Sequence, residues 1–440
     1  MIDTQSQIGF KDLFNIVKVT GNACLALLYV LKPSPPFWGE KEGFCMKQSE
    51  KINARKTIKT LKWVSGLLLL ALLSTSCTKK DKGASTESDE ILVGEVLSMT
   101  GPEATFGTSS NSGTLLAVDE INAEGGIKGK KVRVITLDNQ GKPEEAATAV
   151  TKLITQNNVT AILGEVASSR SLAMAPIAQQ YKIPMVSPSS TNPKVTEVGD
   201  YIFRVCFIDP FQGKVMAKFA LDTLHAKRVA VLRDVKNDYS VGLANFFIET
   251  FKAGGGEIIA DQSYSAGDID FKAQLTSIKA KKPDAIFVPG YYTDVGLIAR
   301  QAVKDVGIKV PLLGGDGWDS PKLVEVGGQS LNGSYFSNHY STEDKSPHVQ
   351  SFIKRFKEKF NIVPDGLAAM GYDGAMVLFD AMKRAKTLET KDIRDALAAT
   401  KDFPGVTGKI TMDENRNPVK PAVVIKVVGK DFKYQETVNP

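Results

Sequence analysis

From Ile91 to the end of the chain, short β-rich runs alternate with helical stretches, and this alternation constrains the fold more than any other feature. Strands are predicted at residues 91–97, 132–137, 160–163, 184–186 and 201–205. A second set is predicted at 228–233, 257–260, 284–288, 311–313 and 334–337. Helical periodicity fills the gaps, as at 109–124, 144–156 and 212–224. Unbroken apolar runs such as Val229-Ala230-Val231-Leu232 and Ala285-Ile286-Phe287-Val288 suit strands covered on both faces. Strand–helix alternation on this scale predicts an α/β fold with parallel sheets flanked by helices. About ten strands exceed one five- or six-stranded sheet, so two sheets are expected. Residues 349–386 then read as helical, and 409–412 and 422–428 return to strand. That order predicts a chain that builds one lobe, crosses to a second, and crosses back to finish both. The cleft between such lobes, outside the carboxyl ends of the strands, is where this architecture places ligands.

The first 76 residues belong to something else. They hold ten of the 55 Lys/Arg and five of the 49 Asp/Glu, so the formal charge of +6 falls to about +1 from Cys77 onward. A balance so even leaves no electrostatic footprint for nucleic acid. Residues 51–77 read KINARKTIKTLKWVSGLLLLALLSTSC. A basic segment leads into an apolar run from Trp63 to Leu73, too short for a helix to cross a bilayer, which takes roughly 20 residues. It fits the apolar region of a secretory signal. Ser74, Thr75 and Ser76 before Cys77 resemble a bacterial lipoprotein box, with Leu73 one place farther from the cysteine than in the usual pattern. Cys77 is the expected site of lipid attachment, and the polar stretch after it, 77–90, suits a flexible tether. Residues 1–45 fall outside this scheme, and translation is expected to begin at Met46. Of the four cysteines only Cys206 lies in the globular region, so no disulfide framework is available. His225, His339 and His348 are scattered, and no metal site is expected.

No phosphate loop, nucleophile elbow, H-E-x-x-H, C-x-x-C or kinase set occurs, and the chain is read as a non-enzyme without a cofactor. The informative segments end strands. Glu165-Val-Ala-Ser168-Ser169 leads into a helical run, and hydroxyls with free N–H groups at a helix start suit a carboxylate. Helix capping by either serine satisfies the same pattern without a ligand. Ser187-Pro-Ser189-Ser190-Thr191-Asn192-Pro193 closes the next strand and also reads as a plain Ser/Thr turn. In the second half, Pro289-Gly290-Tyr291-Tyr292 and Gly314-Gly315-Asp316-Gly317-Trp318 end strands. Asp316 is either a turn residue or an acid aimed at an ammonium. Taken together, donors in one lobe and an acid with tyrosines in the other complement a zwitterion.

With these segments in place, the sequence resembles the leucine/isoleucine/valine-binding proteins of bacterial ABC importers, the type I periplasmic binding fold. The resemblance rests on Met99-Thr-Gly-Pro102, Ile121-Asn-Ala-Glu-Gly-Gly-Ile-Lys-Gly129, Ala167-Ser168-Ser169, Ser187-Pro-Ser-Ser-Thr-Asn-Pro193, Gly290-Tyr-Tyr292, Gly315-Asp-Gly317 and Gly371-Tyr-Asp-Gly374, in this order. It implies two doubly wound lobes joined by a three-crossover hinge near 205–209, 337–341 and 404–407. The first lobe would comprise 91–207 plus 340–405, the second 208–339 plus 406–440. By position, the carboxylate-binding serine of the family falls on Ser168. A second hydroxyl falls on Thr191, beside the backbone of Ser189. The closing aromatic falls on Tyr292, the ammonium-binding acid on Asp316, and further aromatics on Phe106 and Tyr239. Asp316 is one methylene shorter than the glutamate common there. A disulfide found in several members has no cysteines here, at 139–142 or at Ala167. With the lipid anchor expected at Cys77, the resemblance implies an exported, monomeric binder of a small amino acid, branched-chain above all, serving an ABC permease. An amide, urea or aromatic acid as ligand, or a ligand-sensing receptor domain, are the alternatives.

Overall fold

A computed structural model describes residues 90–440, so residues 1–89, with the signal, Cys77 and all of the expected tether but Glu90, which begins a strand, lie outside the described residues. Two parallel-stranded sheets organise them. The first contains β1 (Glu90–Leu97), β2 (Lys131–Asp138), β3 (Ala161–Gly164), β4 (Met185–Ser187) and β5 (Ile202–Arg204), in the order β2-β1-β3-β4-β5, all parallel. Its strands send alternate residues to opposite faces. Ala161 and Leu163 of β3 join one core and Ile162 the other, and Phe203 and Ile202 of β5 divide in the same way. Burial on both faces is why these strands read as unbroken apolar runs.

The second sheet contains β6 (Arg228–Asp234), β7 (Glu257–Tyr264), β8 (Ala285–Phe287), β9 (Leu312–Gly314) and β10 (Tyr335–Asn338), with the order β7-β6-β8-β9-β10 in parallel. A short antiparallel ribbon follows, β11 (Phe403–Gly405) with β12 (Gly408–Ile410). The chain then returns to the second sheet, where β13 (Ala422–Val428) pairs antiparallel with β10 and β14 (Asp431–Val438) with β13. The result is two α/β lobes.

The helical stretch expected at 349–386 is two helices, Pro347–Phe360 and Gly366–Arg384, followed by a third, Thr390–Ala398. Asn361, with φ +58°, ends the first, and Pro364 bars its continuation. The helix Gly366–Arg384 lies against Ala104–Ala123 in backbone contact. A Cβ on Gly113 would stand 2.0 Å from the Ala368 carbonyl oxygen, and one on Gly371 2.2 Å from that of Ser110. Only glycine admits so close a crossing.

The third crossover expected at 404–407 falls later. Val406, Ile410 and Met412 are buried in the same core as β3 and β5, and Arg416 donates to the Ile202 and Thr196 carbonyls at 3.2 and 2.8 Å. Apolar anchoring of the ribbon keeps the chain on the first lobe until the approach to β13. Fully buried Lys420 marks this return, its ammonium donating to the Thr407 hydroxyl and, at 3.4 Å, to the Val205 carbonyl of the first crossover. Burial pulls Lys420 down to about 8, with Asp373 opposing.

Candidate functional site

Every strand-end segment singled out in the sequence converges between the lobes. Phe106 stands on the helix after β1, and Ser168 begins the helix Ser168–Tyr181 after β3. Ser189 lies in the turn after β4. From the second lobe come Tyr239 on the helix Asp238–Ala253 after β6, Tyr291 at the start of Tyr292–Lys304 after β8, and Asp316 in a single 3-10 turn, Asp316–Trp318, after β9. All six line one small cavity, with Val166, Ala167, Gly317 and Leu367. Its volume is about 10 Å³, room for a single water.

The lobes meet across this cavity. The Tyr292 and Thr293 hydroxyls donate to the Pro102 carbonyl at 2.9 and 2.8 Å, Asn192 Nδ2 to the Asp238 carbonyl at 2.9 Å, and Ser169 Oγ to Asp238 Oδ2 at 2.8 Å. Phe106 meets Tyr291 and Tyr292 edge to face, with ring centroids 5.3 and 5.1 Å apart, and Tyr291 stacks on Tyr239 at 5.3 Å. Such geometry adds to the apolar area buried by closing.

Asp316 is the polar centre. Its Oδ1 accepts from Gln212 Nε2 at 2.7 Å and the Tyr239 hydroxyl at 2.9 Å; its Oδ2 accepts from His339 Nε2 at 3.1 Å and Ser189 Oγ at 3.3 Å. Burial pushes this carboxyl up, but the hydrogen bonds from His339, Gln212 and Tyr239 more than offset it, and Asp316 is held below the usual carboxylate range. Burial lowers His339, so a neutral imidazole donating through Nε2 fits both groups. The ring lies 3.8 Å from that of Phe207. Burial keeps the Tyr239 and Tyr291 hydroxyls protonated.

Two expected residues stand elsewhere. Tyr292 does not line the cavity; its hydroxyl is spent on Pro102 and on the Thr105 N–H, 3.3 Å away, and the neighbouring Tyr291 faces the cavity instead. Thr191 is fully buried behind the wall, its hydroxyl next to Asp209, whose carboxyl burial drives up to about 8. Gln212, His339 and Leu367 were not legible. They arrive from the helix Asp209–Lys218 after the first crossover, the second crossover and the helix Gly366–Arg384, and no motif singled out in the sequence marks them.

Behind Ser168 a buried ion pair fixes the helix start. Glu165 accepts from Ser98 Oγ at 2.7 Å and the Ala167 N–H at 2.5 Å, and meets Arg170 Nε at 3.3 Å. Arg170 also reaches Glu103 at 3.5 Å, so the turn before Ser168 is held from three sides. Ser168 Oγ accepts the Asn192 N–H at 3.2 Å. The arrangement offers hydroxyl and helix N–H donors in one lobe, a carboxylate in the other, and an apolar wall of Phe106, Val166, Leu367 and Tyr291 between them.

Residues 90–432 match the family described as periplasmic binding protein. The Leu/Ile/Val-binding protein BraC3 of Rhizobium johnstonii is 32% identical over 74% of this chain and 88% of its own length. Among solved structures, the leucine-binding protein LivK of Thermotoga maritima is 41% identical, with a TM-score of 0.77 over 80% of this chain and 99% of that one. LivJ of Streptococcus pneumoniae, a branched-chain amino acid transporter substrate-binding protein solved with isoleucine, is 38% identical, with a TM-score of 0.76 over 80% of this chain and all of the other. With its two α/β lobes closed on one cavity and this match along nearly all the described residues, the chain belongs to the periplasmic binding protein family, and the Leu/Ile/Val-binding proteins are its relatives.

Proposed function

We propose that this protein captures a branched-chain amino acid outside the cytoplasm and presents it to an ABC permease, without catalysing a reaction. The observation that carries the reading is Asp316, a buried carboxylate facing Ser168 at a helix N-terminus across an apolar wall. The ligand carboxylate takes the Ser168 hydroxyl and the free N–H groups of that helix start. The ammonium takes Asp316. The aliphatic side chain lies against Phe106, Val166, Leu367 and Tyr291. A cavity of about 10 Å³ holds no amino acid, so capture requires lobes farther apart than here. Asp316 already receives four donors, about its full capacity, so an arriving ammonium displaces one. Ser189 is the longest of the four and sits on the opposite lobe, so it separates first as the lobes part.

Closing then makes the second-lobe contacts, and the ligand shifts the population to the closed form by those contacts alone. The export signal and Cys77 complete the reading: a monomeric lipoprotein held at the cell envelope. Calorimetric titration with leucine, isoleucine and valine tests the ligand class, and mass spectrometry of co-purified ligand tests it independently. Absence of binding to all three overturns it. Radioactive palmitate fed to a bacterial host should label the protein and fail to label Cys77→Ala; labelling of both would remove the lipid anchor.

A further inference from the structure

The turn that carries Asp316 holds a second buried carboxylate. Asp319 follows the 3-10 turn in the second lobe, is 3% exposed, and accepts the Gly366 N–H through Oδ2 at 2.7 Å, across the lobe boundary. Gly366 begins the helix Gly366–Arg384 of the first lobe, whose N-cap Asp365 accepts the Ala368 N–H at 2.8 Å and the Ser109 hydroxyl at 2.6 Å. One helix start thus receives two carboxyl groups, one from each lobe. The next residue, Leu367, lines the cavity. A Cβ at position 366 would stand 2.4 Å from Asp319 Oδ2, so the approach depends on glycine.

We propose that Asp319 is a positioning residue for closure, a proton-dependent latch that grips the first-lobe helix beside Leu367 when the lobes shut. The proposal rests on the amino-acid capture described above, because Asp316 and Asp319 belong to one turn, bonded through the Asp319 N–H to the Asp316 carbonyl at 3.0 Å. Two anionic carboxyls at one buried helix end repel each other, and a single helix N-terminus does not neutralise both. Burial first and Asp365 second push Asp319 up to about 7, and Asp365 is itself raised, chiefly by burial.

Other groups face the pair. Asp316 adds to the rise, with His339 bonded on its far side, and the Asn338 side chain lowers Asp319. Tyr340 on the second crossover and Glu343 just after it, with Lys430 from the β13–β14 turn and Asp431 and Lys433 of β14, line the same groove. With the lobes apart Asp319 returns to water and to a carboxylate pKa of about 3.9. The closed form therefore binds the proton more tightly than the open form. Closure is favoured as pH falls below about 7, and the gain is complete only near the open-state value.

The test is calorimetric titration of L-leucine between about pH 8 and about pH 5.5, in buffers of differing ionisation enthalpy. Wild-type affinity should rise by up to about tenfold per pH unit below about 7, with close to one proton taken up per leucine. Asp319→Asn keeps an oxygen for the Gly366 N–H and does not ionise, so its affinity should be flat over this range, near the wild-type acid-side value, without that proton uptake. Asp319→Ala loses the acceptor and should bind weakly throughout. Wild-type slope and proton uptake retained in Asp319→Asn overturn the latch. Failure of leucine to bind wild type at any pH overturns the ligand assignment instead. The latch is then read by small-angle scattering of ligand-free protein, where wild type should be more compact at the acid end and Asp319→Asn equally compact at both. An unchanged wild-type radius overturns it.

Discussion

Four side-chain donors converge on the carboxylate of Asp316, the group proposed above to receive the ligand ammonium. Its removal leaves a buried ammonium without a partner, so Asp316→Ala should weaken amino-acid binding by about 2–3 kcal/mol, roughly 30- to 150-fold. Isothermal titration with leucine measures this; unchanged affinity would reduce Asp316 to a turn residue. Asp209 presents the opposite case. Burial raises its carboxyl to about 8, so the folded protein holds a proton there that the unfolded chain releases near pH 4. Stability should therefore fall as pH rises from about 4 to about 8, by a few kcal/mol from this group. Asp209→Asn should flatten that decline in urea denaturation at pH 5 and pH 8.5, and an identical decline in both proteins would refute the assignment. Ser168, Ser189 and Asp316 lie in strand-end motifs that the residues themselves single out, whereas Phe106 and Tyr239 were reached only through the family resemblance. Tyr291 was not separated from Tyr292, because one residue of helix register decides which ring faces inward.

At the scale of elements, parallel strands were legible and edges were not. β3 and β8 read clearly because burial on both faces leaves no polar position in their central runs. β14 spells Asp-Phe-Lys-Tyr-Gln-Glu-Thr-Val, which resembles a solvated tail, and it becomes a strand through antiparallel pairing with β13 at the sheet edge. β7, the opposite edge, runs to Tyr264, four residues past its expected end, for the same reason. The crossing of Ala104–Ala123 with Gly366–Arg384 is the element contact most sensitive to one atom. Gly371→Val places branched carbon against the Ser110 carbonyl, and backbone on both sides has little room to yield. A cost at or above the roughly 1–3 kcal/mol usual for overpacking is expected. Thermal unfolding should show a midpoint several degrees lower, and a wild-type midpoint would mean the helices can part freely.

For the molecule as a whole, the proposed capture is the difference between two arrangements of the lobes. Contacts made only on closing supply that difference; contacts made in both states do not. Ser168 belongs to the first lobe, while Tyr291 and Asp316 reach the cavity from the second. Small-angle scattering should show wild type shrinking on adding saturating leucine. Ser168→Ala should still close once enough ligand is present, whereas the Tyr291→Ala/Asp316→Ala double variant should stay mostly open. Full closure of the double variant would contradict this division of labour.

The sequence by itself determined the α/β alternation, the two sheets and the strand-end segments that line the cleft, because each depends on local periodicity or on residues adjacent in the chain. Tertiary structure alone decided the rest. The third crossover moved past Met412 because the ribbon at 403–410 has its own apolar anchor in the first lobe. His339 and Gln212 met Asp316, and Asp319 met Gly366, across separations of 23 to 104 residues. Which donor reaches a buried carboxylate is fixed by how packed elements cross, and one chain's periodicity carries no record of that.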